Sequence, residues 1–252
     1  MVLTLYVVSV RFPNSTAPPQ RRLLADVLAA GGTYPLVLAG DYAVHAHGLV
    51  NRLSRDRGRD WDRCRDLSVA TESPERMETI ATAVRAGLEQ RGWHVRALET
   101  DPLSAQLIVT DPATRQERRW QEQYEVDIRK ETLWRPPVPT EHGLVLSLED
   151  VIGTKVRALA DYGLARDLID VQAAAHHWSH PELEELGRRH TRVPFDLTDL
   201  QTRLYGADWI DDTDFAAYGL DESATTALRQ WAQEWAADIA ERLLEEEAPH
   251  ED

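Results

Sequence analysis

Four aspartates crowd one short stretch of this chain: Asp56, Asp60, Asp62 and Asp66 in SRDRGRDWDRCRDLSVATE, with Asp127 following in EVDIRKE. Carboxylates near the ends of neighbouring strands can hold a hard divalent cation such as Mg²⁺, which takes oxygen ligands and bridges substrate phosphates. The Arg/Asp alternation reads equally as a solvated loop that pairs with itself. Asp127 lies between Val126 and Ile128 with Glu125 just before them. In an alternating strand such a residue either faces solvent or enters as a further metal ligand.

Two other stretches could serve phosphates. LVLAGDYAVHAHG, residues 36–48, has a strand ending in glycine and then a helix, which brings backbone N–H groups to an anion. An ordinary tight turn has the same layout, and Asp41 puts a negative charge where the anion should sit. Further on, Lys155 shares a helix face with Arg166 and Asp170, at about 20° and 60° from it, while Asp167 points elsewhere at about 120°. That geometry requires one unbroken helix through Gly163. A Lys–Arg–Asp face can grip a triphosphate, or it can be a surface ion-pair face of little energetic weight. His45, His47, His94, His176 and His177 show no metal-ligand spacing. Trp178, Trp209, Trp231 and Trp235 read as core and helix-packing residues.

The elements that must position these groups divide near residue 145. Residues 1–18 read as an N-terminal extension, 19–145 as an α/β domain, 146–245 as a helical domain and 246–252 as an acidic tail. Helix is expected at 19–31, then a buried strand at Thr33–Gly40 and helix again at Tyr42–Val50. Thr71–Gly92 reads as a helix with Ser73 as N-cap, Pro74 at its first position and Gly92 past its end. Strands are expected at His94–Leu98, Gln106–Thr110 and Trp120–Arg129, and a proline-rich connection at Trp134–Gly143. Helices follow at Leu148–Ala160, Arg166–His177, Pro181–Arg189 and Glu222–Glu246.

Composition sets limits on partners. With 252 residues, 42% apolar and 28% charged, the chain can bury a real core. The net charge of −15 argues against nonspecific binding along a nucleic-acid duplex, which needs a basic surface. The arginines between Arg52 and Arg65 form a local cationic stretch compatible with a nucleotide or one RNA end. The single Cys64 permits no intrachain disulfide and fits a reducing compartment, so the expected location is the cytoplasm. Residues 2–10 are apolar but shorter than the roughly 20 residues of a membrane helix, and no membrane association is expected.

In order and spacing, these segments resemble the AbiEii/AbiGii nucleotidyltransferases. LAGDYAVHAHGLVNRLSRD resembles the family's opening, in which a Gly-Gly or Gly-Ser pair starts a helix and a D-x-D motif follows. DLSVATESPERM resembles that D-x-D and the segment after it, EVDIRKE the strand with the third acidic residue, and SLEDVIGTKVRALADYGLARDLIDV the Lys- and Asp-bearing helical motif. The resemblance runs from about Gln20 to Ala175. It departs at Asp41, where the family has its second Gly or Ser. It departs again in the D-x-D. Counting forward from Gly40 gives Asp56 with Gly58 as second residue, and counting back from VATE gives Asp66 with Ser68. Asp60-Trp61-Asp62 belongs to neither register.

The resemblance implies a mixed-sheet nucleotidyltransferase fold with a helical C-terminal domain, and Mg²⁺-dependent transfer of NMP from an NTP to an acceptor. It implies Asp66, Asp127 and Asp170 as catalytic residues, Asp66 or Asp56 with Asp127 as metal ligands, and Gly40, Asp41, Lys155 and Arg166 as nucleotide-binding residues. The acceptor is then a tRNA 3′ end or another hydroxyl, and the protein is toxin-like, with an antitoxin as partner. A same-fold enzyme acting on a small molecule and a nucleotide-binding pseudoenzyme are the alternatives.

Overall fold

The computed structural model describes residues 18–49, 66–112 and 123–247, so Asp56, Gly58, Asp60, Asp62 and the Arg52–Arg65 stretch lie outside the described residues. The chain separates into two compact units. One comprises residues 1–48 and 58–148, the other 49–57 and 149–252.

The first unit is built on a seven-stranded mixed sheet. Its strands are β1 (Val37–Leu38), β2 (Asp66–Thr71), β3 (His94–Thr100), β4 (Ser104–Thr110), β5 (Gln123–Lys130), β6 (Val138–Thr140) and β7 (Gly143–Val145), in the order β3-β4-β5-β2-β1-β7-β6. β2 and β5 run parallel, as do β1 and β7. Alternation decides the faces. Leu67, Val126 and Leu107 stand opposite one another across β2, β5 and β4, as do Val69, Ile128 and Ala105, and all six are buried. The intervening residues therefore share the opposite face. Helices α1 (Pro18–Gly31) and α3 (Met77–Gln90) pack together closely enough that a Cβ on Gly87 would lie 2.8 Å from the Ala30 Cβ. The short α2 (Gly40–Ala46) follows β1.

Several sequence expectations need correction in this unit. The expected strand over Thr33–Gly40 shortens to two residues. The expected helix from Thr71 begins at Met77 instead, with Arg76 and not Ser73 at its N-cap. The reason is local. Thr71 belongs to β2, and its carbonyl accepts from the Glu131 amide. Glu72 accepts from the Leu133 amide, while Lys130 Nζ donates to the Pro74 and Glu75 carbonyls. Those oxygens are engaged by the sheet, and Ser73-Pro74 stays outside the helix. The proline-rich connection conceals β6, where Pro139 costs least because a terminal strand has a neighbour on one side only.

The second unit is helical: α4 (Leu148–Tyr162), α5 (Ala165–Ala174), α6 (His180–His190), α7 (Leu197–Tyr205), a 3₁₀ turn (Gly206–Trp209), α8 (Asp212–Ala217) and α9 (Glu222–Glu247). Two glycines let α4 and α6 approach closely. A Cβ on Gly153 of α4 would meet the Leu186 carbonyl of α6 at 2.6 Å, and one on Gly187 of α6 would meet Val156 of α4 at 2.6 Å. Beside this crossing His190 and Asp150, both buried, are 3.1 Å apart. Buried Glu184 accepts from the Trp235 indole at 2.9 Å and from Arg242, tying α6 to α9. Trp235 is wholly buried as expected. Trp209 is 89% exposed, against the expectation of a packing residue. It ends a 3₁₀ turn whose packing falls to Ala207.

Candidate functional site

In the sheet unit, β2 and β5 bring two of the predicted residues onto one polar face. The parallel register pairs Asp66 with Glu125 and Ser68 with Asp127, and β4 continues the second row with Gln106. In-register residues of parallel neighbours project to the same side, and strands lie about 4.8 Å apart. Ser68 therefore stands directly beside Asp127, and Asp66 lies one diagonal step away on the same face.

Gly40 closes this row on the β1 side. The Ala39 amide donates to the Ser68 carbonyl at 2.9 Å, which brings the start of α2 against β2. Gly40 has φ +56°, and a Cβ there would lie 2.9 Å from both Cβ and Oγ of Ser68. Glycine is required twice, for the left-handed backbone and for the close approach. The far end of α2 is fixed by His47, whose Nε2 lies 2.7 Å from the Leu146 carbonyl oxygen. Asp41 sits in the first turn of α2, and His45 is buried one turn on. Burial pushes the His45 imidazole down from 6.5 to about 4, against a smaller upward pull from Asp41.

Asp127 is the most singular group of the face. Its Oδ2 accepts from Arg129 Nε at 2.6 Å, while its Oδ1 is buried with no hydrogen-bond partner among the described residues. A buried carboxylate oxygen left without a donor is costly unless something else satisfies it. Glu125, Gln106 and Arg129 share the face; the sequence reading noted Glu125 as a neighbour of Asp127 and gave none of the three a role. D-x-R spacing on a strand was the available signal for Arg129.

In the helical unit two helices form, as their separate expected spans imply, and the continuity through Gly163 that the shared Lys155 face required is absent. α4 ends at Tyr162, Gly163 takes φ +65° and its amide caps the Leu159 carbonyl, and α5 begins at Ala165. The reversal still brings Lys155 to Asp170, at 2.7 Å, and adds Asp167 at 3.3 Å, the aspartate expected to point elsewhere. All three are buried. Arg166, half exposed, stands 3.9 Å from Asp167 and completes no direct grip on Lys155. One ammonium is shared by two carboxylates. Asp167 Oδ2 has no hydrogen-bond partner among the described residues.

The residues offer a hard cation a plausible seat only of a particular kind. Among the described residues no group of three or more His, Cys, Asp or Glu side chains is placed to hold a metal. The oxygen set of Asp127, Asp66 and Ser68 nevertheless fits Mg²⁺, which commonly binds through one or two carboxylates and takes its remaining ligands from water and substrate phosphates.

The description "nucleotidyl transferase AbiEii toxin, Type IV TA system" fits a family model matching residues 22–249, more than nine-tenths of the chain. The chain belongs to this family. The match reaches past Ala175, where the recognisable motifs end, and takes in the helices up to α9. Membership places the chain among NTP-using nucleotidyltransferases of toxin–antitoxin systems. Nothing among curated proteins matches it. Among solved structures it is similar to JHP933 from Helicobacter pylori, at 15% identity over 91% of this chain and 97% of that one, with a TM-score of 0.50. MenT4, a nucleotidyltransferase toxin from Mycobacterium tuberculosis, is 16% identical over 86% of this chain and 82% of its own, with a TM-score of 0.47. Likeness at this distance is one of fold alone. The fold is the mixed α/β nucleotidyltransferase type, followed by helices.

Proposed function

We propose that this AbiEii-family protein transfers a nucleoside monophosphate from an NTP to an acceptor hydroxyl, with Asp127 and Asp66 as the carboxylates that receive Mg²⁺. The observation that carries this reading is the buried Oδ1 of Asp127, without a hydrogen-bond partner among the described residues, on a residue in register with Ser68 of the parallel strand. Of the two registers the reading takes Asp66–Ser68, because VATE follows it without a gap and Ser68 pairs in register with Asp127.

In the reaction the acceptor oxygen forms a bond to the α-phosphorus, the bond to the β-phosphate oxygen breaks and pyrophosphate leaves. Mg²⁺ bound with the triphosphate would neutralise phosphate charge and orient the α-phosphate. The chain's own residues do the rest. Asp127 and Asp66 fix where the charge is received, and Ser68 adds one neutral oxygen. Gly40 lets the backbone approach closely, with Asp41 after it in the nucleotide-binding segment. Lys155 is assigned to the triphosphate charge, Arg166 to nucleotide binding and Asp170 to positioning or proton acceptance. These follow from the family motif, and the buried Lys155–Asp170 contact supports treating the pair as one functional group.

The acceptor is a tRNA 3′ end or a small-molecule hydroxyl. The net charge of −15 favours the smaller acceptor, since RNA binding requires phosphate neutralisation. An antitoxin is the partner proposed from the family, and the cytoplasm the proposed compartment. No helix among the described residues is long and apolar enough to cross a membrane. A calorimetric titration with a non-hydrolysable NTP tests the reading. Mg²⁺ should strengthen binding to the parent and have little effect on Asp127→Asn. Equal Mg²⁺ dependence in both would remove Asp127 from the site.

A further inference from the structure

Asp127 already has a cationic partner. Arg129, two residues along the same face of β5, donates from Nε to Asp127 Oδ2 at 2.6 Å, with side chains 50% and 14% exposed respectively. Its in-register neighbours are Ala70 on β2 and Ser104 on β4, neither of which is charged. Among the described residues Asp127 is the acceptor that this guanidinium contacts. One oxygen of the carboxylate is thus held by a positive charge, while the other is buried without a donor among the described residues.

Resting on the reading that Asp127 receives the cation, we propose that Arg129 competes with it, so that the site takes a cation–triphosphate complex in preference to the free cation. The physical case has three steps. A guanidinium in contact with a carboxylate cancels much of the field that would attract a second cation. Position 68, beside Asp127, is a serine, so the site has no further in-register carboxylate to offset that cancellation. A cation arriving with a triphosphate also brings anionic oxygens, for which a planar guanidinium is a matched donor. Release of Asp127 by Arg129 is therefore compensated when the complex binds and uncompensated when the ion binds alone. Half exposure of the arginine leaves it able to move between the two acceptors.

The test uses Mn²⁺ followed by electron paramagnetic resonance, and the Mn²⁺–tripolyphosphate complex followed by calorimetry. The full chain is compared with Arg129→Gln, Arg129→Lys, Asp127→Asn and the control Arg85→Gln. Arg85 makes an exposed pair with Glu89 on α3, so its loss changes net charge equally. Arg129→Gln should bind Mn²⁺ alone about fivefold more tightly, the upper range for a partly exposed ion pair, and bind the complex more weakly than the parent. Arg129→Lys, which keeps the charge but not the planar donor, should stay near the parent for Mn²⁺ and weaken for the complex. The proposal is overturned if Arg129→Gln matches Arg85→Gln in both titrations, or shifts both affinities in one direction. Failure of the underlying reading looks different, because Asp127→Asn would then leave Mn²⁺ binding unchanged.

Discussion

Ser68 and Asp127 stand directly opposite each other on parallel strands β2 and β5, with a polar side chain from each on the same face of the sheet. On the proposed Asp66–Ser68 register, this chain offers a hydroxyl where the family carries the second carboxylate of its D-x-D. Binding of Mg²⁺ without nucleotide should therefore be weak. Ser68→Asp should tighten it by roughly tenfold, since a hard cation prefers the charged oxygen. Gly58→Asp, made in the competing register, should leave it unchanged. A gain from Gly58→Asp alone, measured by Mg²⁺ titration, would move the site to Asp56.

Gly40 is expected to tolerate no side chain. Gly40→Ala meets both a left-handed backbone and the Ser68 side chain at 2.9 Å, and should cost about 1–3 kcal/mol. Chemical denaturation followed by circular dichroism would measure this. A change within about 0.5 kcal/mol of the parent would show that α2 can move away from β2 freely.

Lys155 should matter to stability as well as to nucleotide. Lys155→Ala leaves Asp167 and Asp170 buried together without their counter-charge, and should destabilise by about 3–5 kcal/mol. Arg166→Ala, at a half-exposed position 3.9 Å from Asp167, should cost less than about 1 kcal/mol. Lys155→Ala should also weaken NTP binding more than Arg157→Ala, whose guanidinium donates to the His190 carbonyl at 2.7 Å. Equal denaturation midpoints for Lys155→Ala and Arg166→Ala would contradict the buried cluster.

The geometry of that cluster marks the limit of what the sequence could reveal. Strand alternation in EVDIRK was legible, and so were Asp127 and the order of the family motifs, because each is a local pattern. The pairing of Ser68 with Asp127 was not, since parallel register depends on contacts distant in sequence. Gly163 was visible as a weak point, but a helix face drawn through it excluded Asp167, and only the reversal at Gly163 brings Asp167 to Lys155. The late start of α3 shows the same limit. Ser73-Pro74 is a sound helix-start signal, overridden because Lys130 from β5 takes the carbonyls that follow it. Trp209 failed for the opposite reason, as composition marks a tryptophan for the core and says nothing of a neighbour that takes its place.

His45 predicts a pH dependence of folding. Its pKa falls from 6.5 to about 4 on burial, so between those values the unfolded chain binds a proton that the folded chain refuses. The stabilisation is complete above pH 6.5 and is lost as pH falls toward 4, by about 3 kcal/mol in all. His45→Gln should flatten that part of the stability profile, measured by urea unfolding from pH 7 to pH 4. An unchanged slope would mean that His45 takes up its proton in the folded protein.

Transfer of label from each α-³²P NTP, with Mg²⁺ and total tRNA or candidate small hydroxyl acceptors, tests the central assignment most directly. The parent should label an acceptor with at least one NTP, and Asp127→Asn should reduce the rate by about 100-fold or more, the scale of losing one preorganised charge-stabilising group. Undiminished transfer by Asp127→Asn would contradict the assignment. So would a parent that labels nothing with any NTP, which would leave the protein a nucleotide-binding member of an enzyme family.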